Sequence, residues 1–374
     1  MPPRRLLLFR PTLGDGGADR VTLTLLEQLP RARYALTLVL IRREGALLSR
    51  VPPDVRVIAL GVRRLALAAP ALARVLRLER PDVVLCTAGS ANVVTVAAHR
   101  LARSRARLVL SERSALRRPG FPWRNRLEVP LKRAIYPFAD LVTAVSDGVA
   151  RDLQDALHLP AARVCVVYNP VVGPELPAQA AAALDHPWFG DPARPVVVAV
   201  GRLVVEKDYP TMLRAFAAIR ARCPARLVIL GLGPARPALE AQATALGLGD
   251  DVAFVGFDPN PFRWMARAHL LLQSSIAEGL PGTLIQSMAC GTPVVATDCD
   301  YGPREVIADG VDGFLVPVGD HAALAERACR LLLDPALRDR LAHAARGSAL
   351  RYTVEASLQR YQAALDGDAA TSAA

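Results

Sequence analysis

Pro195-Val-Val-Val-Ala-Val-Gly-Arg-Leu-Val-Val-Glu-Lys-Asp-Tyr-Pro210 contains a strand, a loop and the start of a helix. The run 195–200 is apolar and mostly valine, which suits a strand covered on both faces. Gly201 breaks the run, Asp208 can cap a helix, and Pro210 suits that helix's first turn. This is the opening of a βαβ unit. It sets Arg202 and Lys207 just past the carboxyl end of a strand, where open parallel sheets bind their ligands.

The same alternation continues on both sides. Downstream, strands are expected at Arg226–Gly231, Val252–Phe257, Leu270–Ser274 and Pro293–Thr297, separated by helices at Pro210–Arg222, Pro234–Leu246, Thr283–Cys290 and Ala322–Leu333. Upstream, strands are expected at Leu6–Phe9, Ala35–Ile41, Val55–Leu60, Asp82–Thr87, Arg107–Ser111, Asp140–Ser146 and Val164–Tyr168. Helices at Ala18–Leu29, Leu65–Glu79 and Ala91–Arg103 lie between several of them. A Pro- and Gly-rich break separates the two series, from Asn169-Pro-Val-Val-Gly-Pro-Glu-Leu-Pro177 to Asp191-Pro-Ala-Arg-Pro195. The reading is α/β: two Rossmann-like domains with parallel sheets facing a central cleft. The expected boundaries are 1–175 for the first domain, 176–194 for a linker and 195–350 for the second.

Composition sets the limits. The chain has 374 residues, 52% hydrophobic and 22% charged, which excludes a disordered or collagen-like polymer and allows two cores. No apolar run approaches the length of a membrane span. Leu6–Phe9, after Met1-Pro-Pro-Arg-Arg5, is too short for the apolar core of a signal peptide, so a soluble, cytoplasmic protein is expected. The six cysteines form no Cys-x-x-Cys pair and the six histidines no ligand spacing. Reduced thiols and no metal site are therefore expected.

Charge is uneven. Residues 1–175 carry 28 Lys+Arg against 14 Asp+Glu, and the remainder 18 against 21, so a net of +14 faces a net of −3 within the overall +11. A basic half can serve nucleic acid, an anionic membrane or an anionic substrate. The basic residues are dispersed, with no zinc-finger or RNA-binding signature, so nucleic acid is not expected as a partner. The preferred reading is peripheral contact with the inner face of the cell membrane; an arginine-rich solvated surface is the plainer alternative. Only two of the basic residues are lysines, Lys132 and Lys207.

Three segments could carry chemistry. Gly14-Asp-Gly-Gly17 joins a strand to a helix, where Gly16 and Gly17 would let backbone approach an anion at the helix N-terminus; a tight turn explains the glycines equally. Arg202 and Lys207 are two cations suited to a diphosphate. The third segment is Ala277-Glu-Gly-Leu-Pro-Gly-Thr-Leu-Ile-Gln286, in which Glu278 precedes a helix and Gln286 lies about a turn inside it. A carboxylate accepts hydrogen bonds from sugar hydroxyls, and free backbone N–H groups bind hydroxyl or phosphate oxygens. The chemistry read from these residues is a polyol joined to a phosphate.

The segments VAVGRLVVEKDYPTML, LVILGLGP, VAFVGF, EGLPGTLIQSMACGTPVVATDCDYGPREVI and DGVDGFLVPVGD, in that order over 196–318, resemble the donor domain of a retaining GT-B glycosyltransferase of family 4, the group 1 glycosyltransferases. DGGADR, LVLSERSA and TAVSDGV match the first half more loosely. The resemblance implies that Arg202 and Lys207, with Gly16 and Gly17, bind the donor diphosphate. It implies that Glu278 holds the transferred sugar together with Gly279, Leu280, Pro281 and Gly282. Gln286 and Phe257 would serve the ribose and base, although core packing explains Phe257 as well. Catalysis would then rest on Glu278, Arg202 and Lys207. A last helix, 351–366, would cross back to the first domain, leaving 367–374 as a disordered tail.

Two departures from the family pattern stand out. Gln286 occupies the place of a second carboxylate, and a neutral bond to a ribose hydroxyl contributes about 0.5–1.5 kcal/mol against about 1.5–3 for a charged one. Where many relatives carry a histidine, this chain reads Ser111-Glu-Arg113; Glu112 and Arg113 become the acceptor-side candidates, with a structural Glu–Arg pair as the alternative. Asp298-Cys-Asp300 follows a strand with no metal duty in this fold, so no metal or other cofactor is expected. The implied function is transfer of a hexose or N-acetylhexosamine from a nucleotide diphosphate sugar, UDP-sugar favoured, to a lipid-linked or saccharide acceptor. The alternative is a catalytically weak nucleotide-sugar-binding scaffold of a polysaccharide assembly complex.

Overall fold

In a computed structural model the described residues are 2–14, 16–117, 122–191 and 193–368, with backbone alone for 122–125. The chain divides into two compact units, Met1–Pro170 with Val354–Ala374, and Val171–Thr353.

The first unit holds seven parallel strands: β1 (Arg4–Arg10), β2 (Tyr34–Leu40), β3 (Arg56–Ala59), β4 (Val83–Cys86), β5 (Arg107–Glu112), β6 (Leu141–Ala144) and β7 (Val164–Val166), in the order β3-β2-β1-β4-β5-β6-β7. The second holds six: β8 (Val196–Val200), β9 (Arg226–Leu230), β10 (Val252–Gly256), β11 (Leu270–Gln273), β12 (Val294–Thr297) and β13 (Phe314–Val316), in the order β10-β9-β8-β11-β12-β13. Every pairing is parallel. The central strands are apolar because helices cover both faces, and β4 and β12 are buried at every residue.

In each sheet the strand order reverses once, between β1 and β4 and between β8 and β11. A ligand crevice opens at such a switch point, outside the carboxyl ends of the two strands. Three sequence candidates follow strands at these points: Gly14–Gly17 after β1, Arg202 and Lys207 after β8, and Glu278 after β11.

Three features differ from the sequence reading. Residues 176–194, read as a linker, belong to the second unit. They form a helix, Leu176–Ala181, and a 3-10 turn, Pro187–Gly190. Backbone oxygens of Gln179, Ala180, Ala181 and Ala183 accept from Asn260, Arg267 and Arg263, while His186, Trp188, Phe189 and Trp264 form an edge-to-face cluster. β13 and the helices Pro122–Ile135, Asp147–Leu157 and Pro335–Ala349 are additional elements. Finally, the helix Val354–Asp366 starts three residues later than expected and packs Tyr361, Ala364 and Leu365 into the core of the first unit. Of the tail expected at 367–374, residues 369–374 lie outside the described residues.

Candidate functional site

At the β8–β11 switch point the turn after β8 and the loop after β11 are stitched together. Ser274 Oγ donates to the carbonyls of Lys207 and Asp208, both at 2.9 Å, and Ile276 N–H donates to Glu206 O at 2.9 Å. Asp208 has a left-handed φ of 45° and its carboxylate caps the N–H of Thr211, so the helix Tyr209–Arg220 starts two residues after Lys207. The buried Tyr209 hydroxyl donates to Gly201 O at 3.1 Å and closes the turn. Burial and the neighbouring Glu278 carboxylate push the Tyr209 phenol up, so it stays protonated.

Lys207 and Glu278 meet here, with Nζ to Oε1 at 2.5 Å. The same Oε1 accepts from Gln273 Nε2 at 2.8 Å and from Ser275 Oγ at 2.7 Å. Lys207 is therefore not a free cation: its charge is matched by Glu278. Arg202 is exposed and has no ion-pair partner among the described residues, although Glu206 and Asp208 lie on the same loop. Burial and Glu278 push the nearby Cys299 thiol up to about 12, so the thiol stays protonated and is no nucleophile.

Gly279–Pro281 leads into the helix Gly282–Cys290, whose first turn has no side-chain cap and leaves N–H groups open at its start. Gly302, at φ 93°, permits a close approach here: a Cβ on it would lie 2.7 Å from Pro281 Cδ and 2.9 Å from Gly279 O. Gln286 is half-buried one turn inside that helix, whose Leu284, Ile285 and Met288 face the core. Phe257 is 51% exposed, which removes core packing as its explanation. Asp298 pairs with Arg304 through two bonds of 2.9 Å. Among the described residues no group of three or more His, Cys, Asp or Glu is placed to hold a metal ion.

In the first unit Gly16 is the N-cap of the helix Gly17–Gln28, and no atom would meet a Cβ on Gly17. Arg10, 5% exposed, organises this turn. It donates to Asp19 Oδ1 at 2.5 Å, to the carbonyls of Thr12 and Ala18 and to Thr22 Oγ1; Asp19 Oδ1 also accepts from Gly14 N–H.

The acceptor-side candidates require correction. Glu112 is 2% exposed, and its Oε1 accepts from Lys132 Nζ at 2.8 Å, Asn92 Nδ2 at 3.2 Å and the Tyr136 hydroxyl. A carboxylate so enclosed is structural, and its partner is a lysine rather than Arg113. Arg113 itself ties Thr87 O, Asn169 Oδ1 and the Tyr361 hydroxyl together, anchoring the last helix. Sequence reasoning missed Gln273, Arg10 and Lys132, which act through partners on other elements, and Ser275, whose bond to Glu278 within one loop leaves no periodic signal.

A model of glycosyl transferases group 1 matches residues 187–348, and a model of glycosyltransferase family 4 matches residues 15–172. Over 354 residues, 90% of this chain and 92% of the other, the chain is 28% identical to the N-acetylgalactosamine-N,N'-diacetylbacillosaminyl-diphospho-undecaprenol 4-alpha-N-acetylgalactosaminyltransferase of Campylobacter jejuni. The lipopolysaccharide core biosynthesis glycosyltransferase LpsE of Rhizobium meliloti is 35% identical over 162 residues, 43% of this chain and 46% of that one. Anabaena HepE, solved with UDP-glucose, superposes with a TM-score of 0.81 at 24% identity, over 97% of this chain and all of that one.

Proposed function

The chain belongs to the group 1, family 4 glycosyltransferases of the GT-B fold, and from that premise we propose that it transfers a hexose or N-acetylhexosamine, with retention of the α configuration, from a UDP-sugar to a lipid-linked or saccharide acceptor. The observation that carries this reading is the Lys207–Glu278 pair at the β8–β11 switch point, with Arg202 exposed on the same loop as Lys207. The products fit relatives whose names place them in lipopolysaccharide core and undecaprenol-linked glycan synthesis. No helix among the described residues is long and apolar enough to cross a membrane. A cytoplasmic enzyme held at the inner membrane face by its basic half is part of the proposal.

Retention requires the acceptor oxygen to bond to the anomeric carbon on the face from which the diphosphate leaves. As that carbon–oxygen bond breaks, negative charge grows on the diphosphate. Arg202 and the ammonium of Lys207 stabilise it, and Glu278 fixes the sugar by its hydroxyls. Lys207 has three donors, so it serves Glu278 and a phosphate oxygen together. No metal and no other cofactor enters this reading.

The test is release of nucleoside diphosphate from a panel of nucleotide sugars, with NMR of the product's anomeric proton. Lys207→Ala is expected to lower turnover by about 100-fold or more; near-normal turnover would remove Lys207 from the assignment. A second reading, a nucleotide-sugar-binding scaffold, is favoured by Gln286 standing where the family has a carboxylate. It requires donor binding with no diphosphate release under any acceptor.

A further inference from the structure

We propose that Gln273 is a positioning residue that fixes which oxygen of Glu278 is offered to the donor sugar. The proposal rests on the reading of Glu278 as the sugar-holding carboxylate. Gln273 is the last residue of β11, 6% exposed, with its strand neighbours Leu270 and Leu272 in the core of the unit. A polar side chain ending a buried strand needs partners at both ends of its amide, and it has them. Nε2 donates to Glu278 Oε1 at 2.8 Å, and Oε1 accepts from Thr283 Oγ1 at 3.3 Å in the first turn of the helix Gly282–Cys290. A carboxylate only accepts, so the amide's NH₂ must face it and its orientation is set.

The consequence lies in the count of donors. Oε1 of Glu278 takes Lys207, Gln273 and Ser275, more than its two lone pairs take in ideal geometry. That oxygen is spent, and Oε2 is the one left for sugar hydroxyls. Lys207 is shared with the diphosphate, so the contacts that hold Oε1 independently of the donor are Ser275, completely buried, and Gln273. Ser275 lies three residues before Glu278 on the same loop, and its own carbonyl accepts from Thr297 Oγ1 at the end of β12 at 2.6 Å. Gln273 ties the carboxylate to β11 on one side and, through Thr283, to the helix Gly282–Cys290 on the other. The class of substrate contact it controls is one or two vicinal hydroxyls of a pyranose bound to Oε2.

The full chain and its Gln273→Met and Gln273→Glu variants would be compared for nucleoside diphosphate release. The donors are UDP-glucose, UDP-galactose, UDP-N-acetylglucosamine, UDP-N-acetylgalactosamine, GDP-mannose and ADP-glucose, and the matching sugar-free diphosphate is followed by thermal shift. For the donor that wild type consumes fastest, Gln273→Met is expected to lose about 10- to 100-fold in kcat/KM, while the shift given by the diphosphate stays as in wild type. Gln273→Glu places a second carboxylate against Glu278. Its activity relative to wild type is expected to be low at pH 8 and to rise toward pH 5.5, as a shared proton restores the donor. Tyr209 and Cys299, the other titrating neighbours, are held protonated throughout that range.

Gln273→Met within twofold of wild type, a diphosphate shift lost together with activity, or a pH-flat Gln273→Glu would each overturn the proposal. If Gln273→Met does not fold, the pH course of Gln273→Glu decides alone. A wild type that releases diphosphate from none of the six donors would instead remove the premise, and the proposal with it.

Discussion

Glu278 pairs with Lys207, whereas Arg202 on the same loop has no ion-pair partner among the described residues. In the proposed function the unpaired Arg202 meets the diphosphate directly, whereas Lys207 would join the diphosphate to the sugar-holding carboxylate. Arg202→Ala is therefore expected to weaken UDP binding about 10-fold or more, with a shallower dependence on salt, in a titration at two ionic strengths. In the first unit, Glu112→Gln leaves the buried Lys132 ammonium without its carboxylate and should cost about 3–5 kcal/mol in chemical denaturation. A smaller loss would mean that Lys132 finds water. At this scale the sequence displayed what lies along it: Arg202, Lys207 and Glu278 stand beside glycines and prolines that mark strand ends. It hid what lies across it. Glu112 read as an acceptor contact because Lys132, twenty residues on, sits on a helix that interrupted periodicity and Pro130 obscured.

Among the elements, the β8 and β9 turns depend on one close approach. Gly231 has φ 150°, and a Cβ there would lie 1.9 Å from Gly201 O. Gly231→Ala is expected to cost about 1–3 kcal/mol and to displace the Arg202 loop, measured as lower stability together with weaker UDP binding. His269, which leads into β11, accepts from Val196 N–H at 3.2 Å. Burial first, and Arg338 second, hold its ring below the usual value of 6.5. The unfolded chain therefore takes up the proton first. His269 contributes stability at pH 7 and above that is lost as pH falls below the usual value of 6.5, and His269→Gln should flatten a thermal-stability curve on that acid side. Strands rich in valine and leucine were legible because they are continuous apolar runs. β13 has only three residues, and the helix Pro335–Ala349 buries just two leucines, Leu337 and Leu341, with alanines at 342, 345 and 349, so both are weak as patterns. The Pro-rich segment 176–194 read as a linker because proline and alanine conceal the carbonyls that Asn260, Arg263 and Arg267 bind.

For the whole molecule, the contrast between +14 over 1–175 and −3 over the remainder motivates the membrane part of the function. Vesicles containing an anionic lipid are expected to retain the chain at low ionic strength and release it at high, with no retention on zwitterionic vesicles; equal behaviour on both would remove that part. The central claim, a nucleoside diphosphate held by Arg202 and Lys207, is tested most directly by a thermal-shift panel of UDP, GDP, ADP, TDP and CMP on wild type and on the Arg202→Ala/Lys207→Ala double variant. A ligand at about 100 times its Kd adds about 2.7 kcal/mol of stability. Stabilisation of wild type by one diphosphate, UDP above the others, and its loss in the double variant is the result this account requires. No shift with any of the five, or an equal shift in the double variant, would contradict it.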